Sequence, residues 1–227
     1  MRTRLLIISF LTLYSGLFAQ VTLQHRIGIG HNPTTKTYAD ISTNALYSLP
    51  NWHFQAGVNW QGSSYLGTSL QALTLGAGYN IPISQPLSAE LCYMYHPHAR
   101  NLISEQTVAL SLLYLPSHFD IQIGTYVRFL QSQQIGNETV TESKLFLYQL
   151  NAYIMPKNNI YNAMLGVRSY DTFDIEQAGN PIYVLQLSYR PKVMQYFIEG
   201  CVKPAGFYNI LVHPFHTQLR GGIVWTP

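Results

Sequence analysis

From residue 20 onward, hydrophobic and polar residues alternate with period two, the pattern of a strand with one apolar and one polar face. Between Trp52 and Gln61, the residues Trp52, Phe54, Ala56, Val58 and Trp60 alternate with His53, Gln55, Gly57, Asn59 and Gln61. Leu87 to His96 repeats the arrangement, with Leu87, Ala89, Leu91, Tyr93 and Tyr95 set against Ser88, Glu90, Cys92, Met94 and His96. So does Phe119 to Leu130, where Phe119, Ile121, Ile123, Thr125, Val127 and Phe129 face one way and Asp120, Gln122, Gly124, Tyr126, Arg128 and Leu130 the other. Twelve such segments are predicted, the weaker being Val21 to Gly30, Ile160 to Tyr170 and Ile182 to Tyr189. Ten result if Val21 to Gly30 or Ile182 to Tyr189 is miscounted, and fourteen if Gly206 to Val212 pairs with another segment.

The connections carry a second period. An aromatic residue closes alternate strands and a proline follows: Tyr47 and Pro50, Tyr79 and Pro82, Tyr114 and Pro116, Tyr153 and Pro156, Tyr189 and Pro191, Trp225 and Pro227. The prolines recur about every 35 residues, the length of one β-hairpin with its two connections. Proline cannot donate to a ladder and belongs where a strand stops. The short connections, Leu49 to Asn51, Leu115 to His118, Met155 to Asn159 and Arg190 to Val193, therefore share one end of the structure. Longer polar loops are expected at the other: Gly62 to Thr68, His96 to Ser104, Gln131 to Ser143, Tyr170 to Pro181 and Pro204 to Pro214.

Residues 1–19 read differently. Arg2 and Arg4 precede an apolar run from Leu5 to Leu13, and Gly16 to Ala19 lead to a cleavage position before Gln20, the layout of a secretory signal peptide. The run is shorter than the roughly 20 residues of a membrane-spanning helix. One domain is expected over 20–227. Removing Arg2 and Arg4 takes the formal charge from +3 to about +1 and leaves no basic patch for a nucleic acid.

Composition decides what the apolar faces meet. Only 10% of the 227 residues are charged and 17 are tyrosine, against about 25% charged in soluble domains. A soluble β-sandwich or lipocalin-like barrel would keep its apolar face inside, and alternation alone does not exclude it. Apolar sets that run the full strand length, with charge this scarce, favour lipid outside. Short turns at one rim, longer loops at the other and strands of about ten residues specify an antiparallel transmembrane β-barrel of about twelve strands, with periplasmic proline-containing turns and extracellular loops. On these features the chain resembles the outer-membrane barrels of Gram-negative bacteria, and its last strand, Phe215 to Trp225, resembles their aromatic-ended terminal strand, although Thr226 and Pro227 follow. The resemblance implies residence in the outer membrane, with a periplasmic aromatic girdle formed by Tyr47, Tyr79, Tyr114, Tyr153, Tyr189 and Trp225.

The polar face would then line the lumen. Asp40, Glu90, Asp120 and Glu199 nearly balance Arg128, Arg168, Lys203 and Arg220, as charges paired across a narrow interior would, and Met94, Tyr126 and Leu130 are bulky enough to fill part of it. Cys92 and Cys201 fall on the fifth and eleventh strands, opposite in a ring about 24 Å wide. That separation is far beyond the reach of about 7 Å for a disulfide. No cofactor or metal is expected. The pairs His96/His98 and His213/His216 each enclose a proline and would have to converge to hold an ion. No strand carries a His-x-Ser pairing suited to nucleophilic catalysis, Asp171 and Asp174 read as solvated loop charges, and Asn137-Glu138-Thr139 is a sequon without consequence in a bacterium.

The expected function is accordingly non-enzymatic: a scaffold or accessory subunit of a larger outer-membrane assembly or secretion machinery, with outer-membrane lipid and other envelope proteins as partners. A small passive channel is the alternative, and a lipid-modifying enzyme a distant third. The leader ending Phe18-Ala19-Gln20 and the tyrosine-rich, proline-punctuated turns resemble barrels of Bacteroidota, among them the PorP/SprF type that serves type IX secretion. The chain is shorter than that family, and Asn32-Pro33-Thr34-Thr35 only echoes its Asn-Pro-Ala-Tyr motif, so no functional residue carries over.

Overall fold

The computed structural model describes residues 20–32, 36–63, 67–97, 103–116, 118–133, 140–155, 159–169, 181–204 and 216–227. The expected signal peptide, the sequon, Asp171, Asp174, His98 and His213 lie outside them. The described chain forms twelve strands: β1 Gln20–Asn32, β2 Lys36–Ser48, β3 Trp52–Ser63, β4 Gly67–Ser84, β5 Leu87–Pro97, β6 Ile103–Tyr114, β7 Asp120–Gln133, β8 Val140–Tyr153, β9 Tyr161–Arg168, β10 Ile182–Tyr189, β11 Met194–Lys203 and β12 His216–Trp225. Each pairs antiparallel with its sequence neighbours, and β1 closes the ring on β12 through a register running from Leu23 opposite Trp225 to His31 opposite Thr217. Closure removes every sheet edge within the ring, which is how an all-β chain satisfies its backbone in a medium that offers no hydrogen bonds.

Period two sets the two surfaces. Outward positions carry large apolar side chains left open by the protein, among them Ile27 and Ile29 on β1, Trp52 and Phe54 on β3, Ile123 on β7, Phe146 on β8 and Leu219 on β12. The intervening residues point inward and are covered: Asp40, Ser42, Asn59, Thr107, Asn151 and Gln218 are all buried. The usual arrangement of a soluble domain is thus inverted, because an exterior of this kind far exceeds the few hundred Å² of apolar patch that soluble monomers tolerate.

Three expectations are corrected at the rims. Pro82 does not end its strand. β4 pairs with β3 only as far as Tyr79 opposite Trp52 but continues along β5 to Ser84, with a register shift after Pro82. Asn80 is the last residue to donate toward β3, to Asn51 O at 2.7 Å, so Pro82 lies where no ladder on that side needs its missing N–H. The turn of this hairpin is Gln85–Pro86, with a cis peptide bond. At the opposite rim, segments expected as loops are partly strand: Gly62 belongs to β3, Thr68 to β4, Gln131 to β7 and Thr141 to β8. Tyr153, expected in the outward aromatic row, points inward. It shares parity with Leu147, Gln149 and Asn151 and packs against the interior cluster of Met164, Ile182, Val184 and Cys201. Tyr114, Tyr189 and Trp225 are exposed on the outer surface, where Tyr189 stacks on Tyr161 at 5.1 Å and Tyr79 meets Trp52 in a tilted contact at 4.7 Å. Tyr47 shares the outward parity of Ile41 on β2 and lies opposite Phe54.

Candidate functional site: the barrel interior

The interior divides along the barrel axis. In the middle and in the half nearer the loop rim it is filled by charged side chains that bridge adjacent and next-but-one strands. Arg128 on β7 places Nε 2.9 Å from Glu105 Oε1 on β6, while His96 Nδ1 on β5 lies 3.6 Å from the same oxygen. Thr107 Oγ1 donates to that oxygen at 3.2 Å. Arg128, Glu105 and His96 are 1%, 2% and 1% exposed, so no water-sized space adjoins them. Across the ring, Glu199 on β11 receives Arg220 Nη1 from β12 at 3.1 Å and Arg168 Nη2 from β9 at 3.5 Å. Arg168 also reaches Cys201 Sγ at 3.3 Å. A third group joins Asp40 on β2 to Gln218 on β12, whose Nε2 donates at 2.8 Å, and to Arg26 on β1 at 3.8 Å. Each buried ion here has an opposite partner, as the several kcal/mol of desolvation per ion requires.

Glycines make this packing possible. A Cβ on Gly28 would overlap the Asp40 carboxylate, one on Gly30 the ring of Tyr38, and one on Gly124 the Tyr126 hydroxyl at 2.7 Å. Gly28 and Gly30 on β1 leave gaps for side chains of β2, and Gly124 leaves one for Tyr126 of its own strand.

Toward the proline-turn rim the interior opens into a cavity of about 440 Å³. His53 Nε2 on β3 and Glu90 Oε1 on β5 pair at 3.1 Å on its wall. Ser48, Gln55, Asn80 and Ser111 bring hydroxyl and amide groups to it, and Cys92, Met94, Ala109 and Tyr126 form its less polar side. Tyr126 Oη donates to Gln149 Oε1 at 2.7 Å, and Asn151 Nδ2 to Gln122 Oε1 at 3.3 Å.

The expected interior residues are thus distributed over several groups. Arg168, Glu199 and Arg220 share one; Arg128 belongs to a second, Asp40 to a third, and Glu90 lines the cavity. Asp120 and Lys203 are buried, at 5% and 4% exposure, and neither is without a partner. Sequence reasoning missed Glu105 and Arg26, the partners of Arg128 and Asp40. Glu105 stood beside a presumed loop, although Glu105, Thr107, Ala109 and Ser111 alternate with Gln106, Val108, Leu110 and Leu112 and so mark a strand. Cys92 and Cys201 are free and lie on β5 and β11. Among the described residues no three His, Cys, Asp or Glu side chains converge as a metal site.

On the outer surface, the β1–β2 register brings His25 Nδ1 to 3.0 Å from Thr43 Oγ1, a contact between strands that no single-strand pattern reveals. Among the described residues no carboxylate contacts His25.

No protein-family profile matches the chain, nor does any curated protein. Solved structures do. An outer membrane channel from Pseudomonas putida F1 superimposes with a TM-score of 0.65 at 9% identity over 92% of this chain and 95% of that one. The NanC porin gives 0.59 at 12% identity over 88% and 98%, and the outer membrane phospholipase A of Escherichia coli 0.52 at 11% over 89% of each chain. Identities this low speak to architecture, and one fold here serves pores and an enzyme alike, so function has to be argued from the interior. What the comparisons establish is that this closed twelve-stranded antiparallel barrel has the fold of outer-membrane β-barrel proteins.

Proposed function

We propose that the chain is an integral, non-enzymatic barrel of the bacterial outer membrane that acts as a narrow passive channel for small polar solutes. The observation that carries this reading is the inversion of the protein: an apolar exterior around an interior lined by polar side chains and charge-matched pairs, Arg128 with Glu105, Arg220 and Arg168 with Glu199, and Arg26 with Asp40. A barrel that needed only stability could fill the same space with apolar residues at equal or lower free-energy cost. The likeness to a porin and a channel supports the same reading. The proline-turn rim with its row of tyrosines faces the periplasm. The pairs around Glu105 and Glu199 form the constriction, and solute passes when they part. A scaffold or accessory role for other envelope proteins, and an origin in Bacteroidota, have no observation of their own among the described residues.

The test is planar-bilayer conductance of the purified barrel, wild type and Arg128→Ala. The channel reading expects small wild-type steps and larger, more cation-selective steps in the variant. Silence from both, with folding verified, removes it.

A further inference from the structure

We infer that the cavity at the proline-turn end is a binding site for a small hydroxylated solute of neutral or positive charge, a sugar or amino sugar rather than a sugar acid. This deepens the channel reading by naming the solute class and rests on it only for the route of entry. The cavity's volume of about 440 Å³ lies within the range typical of ligand pockets and admits a sugar of one or two rings.

Open hydrogen-bonding capacity that borders a cavity marks this wall. In the charged half Glu105, Glu199, Asp40, Arg128, Arg168, Arg220 and Arg26 are all engaged in ion pairs. Around the cavity, the side chains of Ser48, Gln55, Asn80 and Ser111 make no hydrogen bond to other described residues. Two amides and two hydroxyls thus present donors and acceptors to one space, the set that a ring of hydroxyl groups can satisfy at several points. Glu90 has one oxygen on His53 and a second able to accept from a hydroxyl or an ammonium. Among the described lining residues there is no lysine or arginine and Glu90 is the one carboxylate, so a solute carboxylate would meet the Glu90 charge with only His53, already held by Glu90, to offer it a cation.

The wall is also shaped to stay open. Gly76 and Gly78 on β4 lie beneath the side chains of Gln55 and His53: a Cβ at Gly76 would come within 2.7 Å of Gln55 Cγ, and one at Gly78 would overlap the His53 imidazole. Both polar side chains therefore lie against the β4 backbone instead of projecting across the cavity.

Binding is tested on the full barrel in detergent by isothermal titration, with three probes that share one ring and differ in charge: glucose, glucosamine and glucuronate. The expected result is saturable binding of glucose and glucosamine, with glucuronate at least about tenfold weaker. Glu90→Gln should close the gap between glucosamine and glucuronate. Paired Ser48→Ala and Ser111→Ala changes, mild enough to preserve folding, should weaken glucose several-fold, and Gly200→Ala, whose added Cβ meets nothing within 4 Å, should leave it unchanged. Glucuronate binding as tightly as glucose, no saturable binding by any probe, or full affinity in the double serine variant overturns the inference. Binding without conductance would retain this site and remove the channel; conductance without binding would do the reverse.

Discussion

Replacing Glu105 by Gln tests the claim that the interior is held by specific charge pairs. The substitution keeps size and shape but removes the negative charge 2.9 Å from Arg128 Nε and 3.6 Å from His96 Nδ1. With an effective dielectric of about 20, the gross attraction at 2.9 Å is about 6 kcal/mol. Much of it offsets desolvation that has already occurred, so the net loss follows from taking the Glu105 carboxylate away from the 1% exposed Arg128, about 3–5 kcal/mol. Three kcal/mol is a change of more than about 100-fold in the folding equilibrium. Denaturant unfolding in detergent micelles, followed by tryptophan fluorescence, measures it as a lower midpoint at unchanged slope. The double variant Glu105→Gln with Arg128→Met removes both charges and should recover most of the loss, because an uncharged pair has no stranded ion. A single-variant loss below about 1 kcal/mol, or a double variant as unstable as the two single losses added, would falsify the ion-pair account.

Arg220→Ala removes a cation paired with Glu199, so reversal potentials across a salt gradient should shift toward cation selectivity. An unchanged potential would place Arg220 off the conducting path. Gly222→Ala puts a Cβ 2.5 Å from the His25 carbonyl oxygen and from the Phe197 ring and should cost about 1–3 kcal/mol by overpacking, whereas Gly200→Ala should change stability by no more than about 0.5 kcal/mol. Equal effects of the two would mean that the described packing around Gly222 is wrong. Trp52, Trp60 and Trp225 are exposed on the outer surface, so lipids brominated along their chains should quench most of the tryptophan emission in vesicles; emission insensitive to bromine would place these faces away from lipid. Cys92 and Cys201 should run identically on reducing and non-reducing gels even after mild oxidation, because they sit on β5 and β11 of the ring. A mobility change confined to the oxidised monomer would contradict the strand order.

By itself the sequence determined the strand pattern, a count near twelve and which face of each strand is apolar, because these depend on local alternation: a residue's side is set by parity along its own strand. Tyr153 shows how far that reaches. Its parity with Asn151 already assigned it inward, and the expectation of an outward aromatic row overrode a signal that was present. Which charges meet was decided only by the tertiary structure. Glu105 finds Arg128, Glu199 gathers Arg220 and Arg168, and Asp40 reaches Gln218 across the β1–β12 closure. Those meetings depend on how each strand slides against the next and on the tilt accumulated around the ring, and alternation along one strand carries no information about either. The cavity at the proline-turn end has the same origin. Ser48, Gln55, Asn80, Glu90 and Ser111 lie on five strands, and closure with this register makes them one wall.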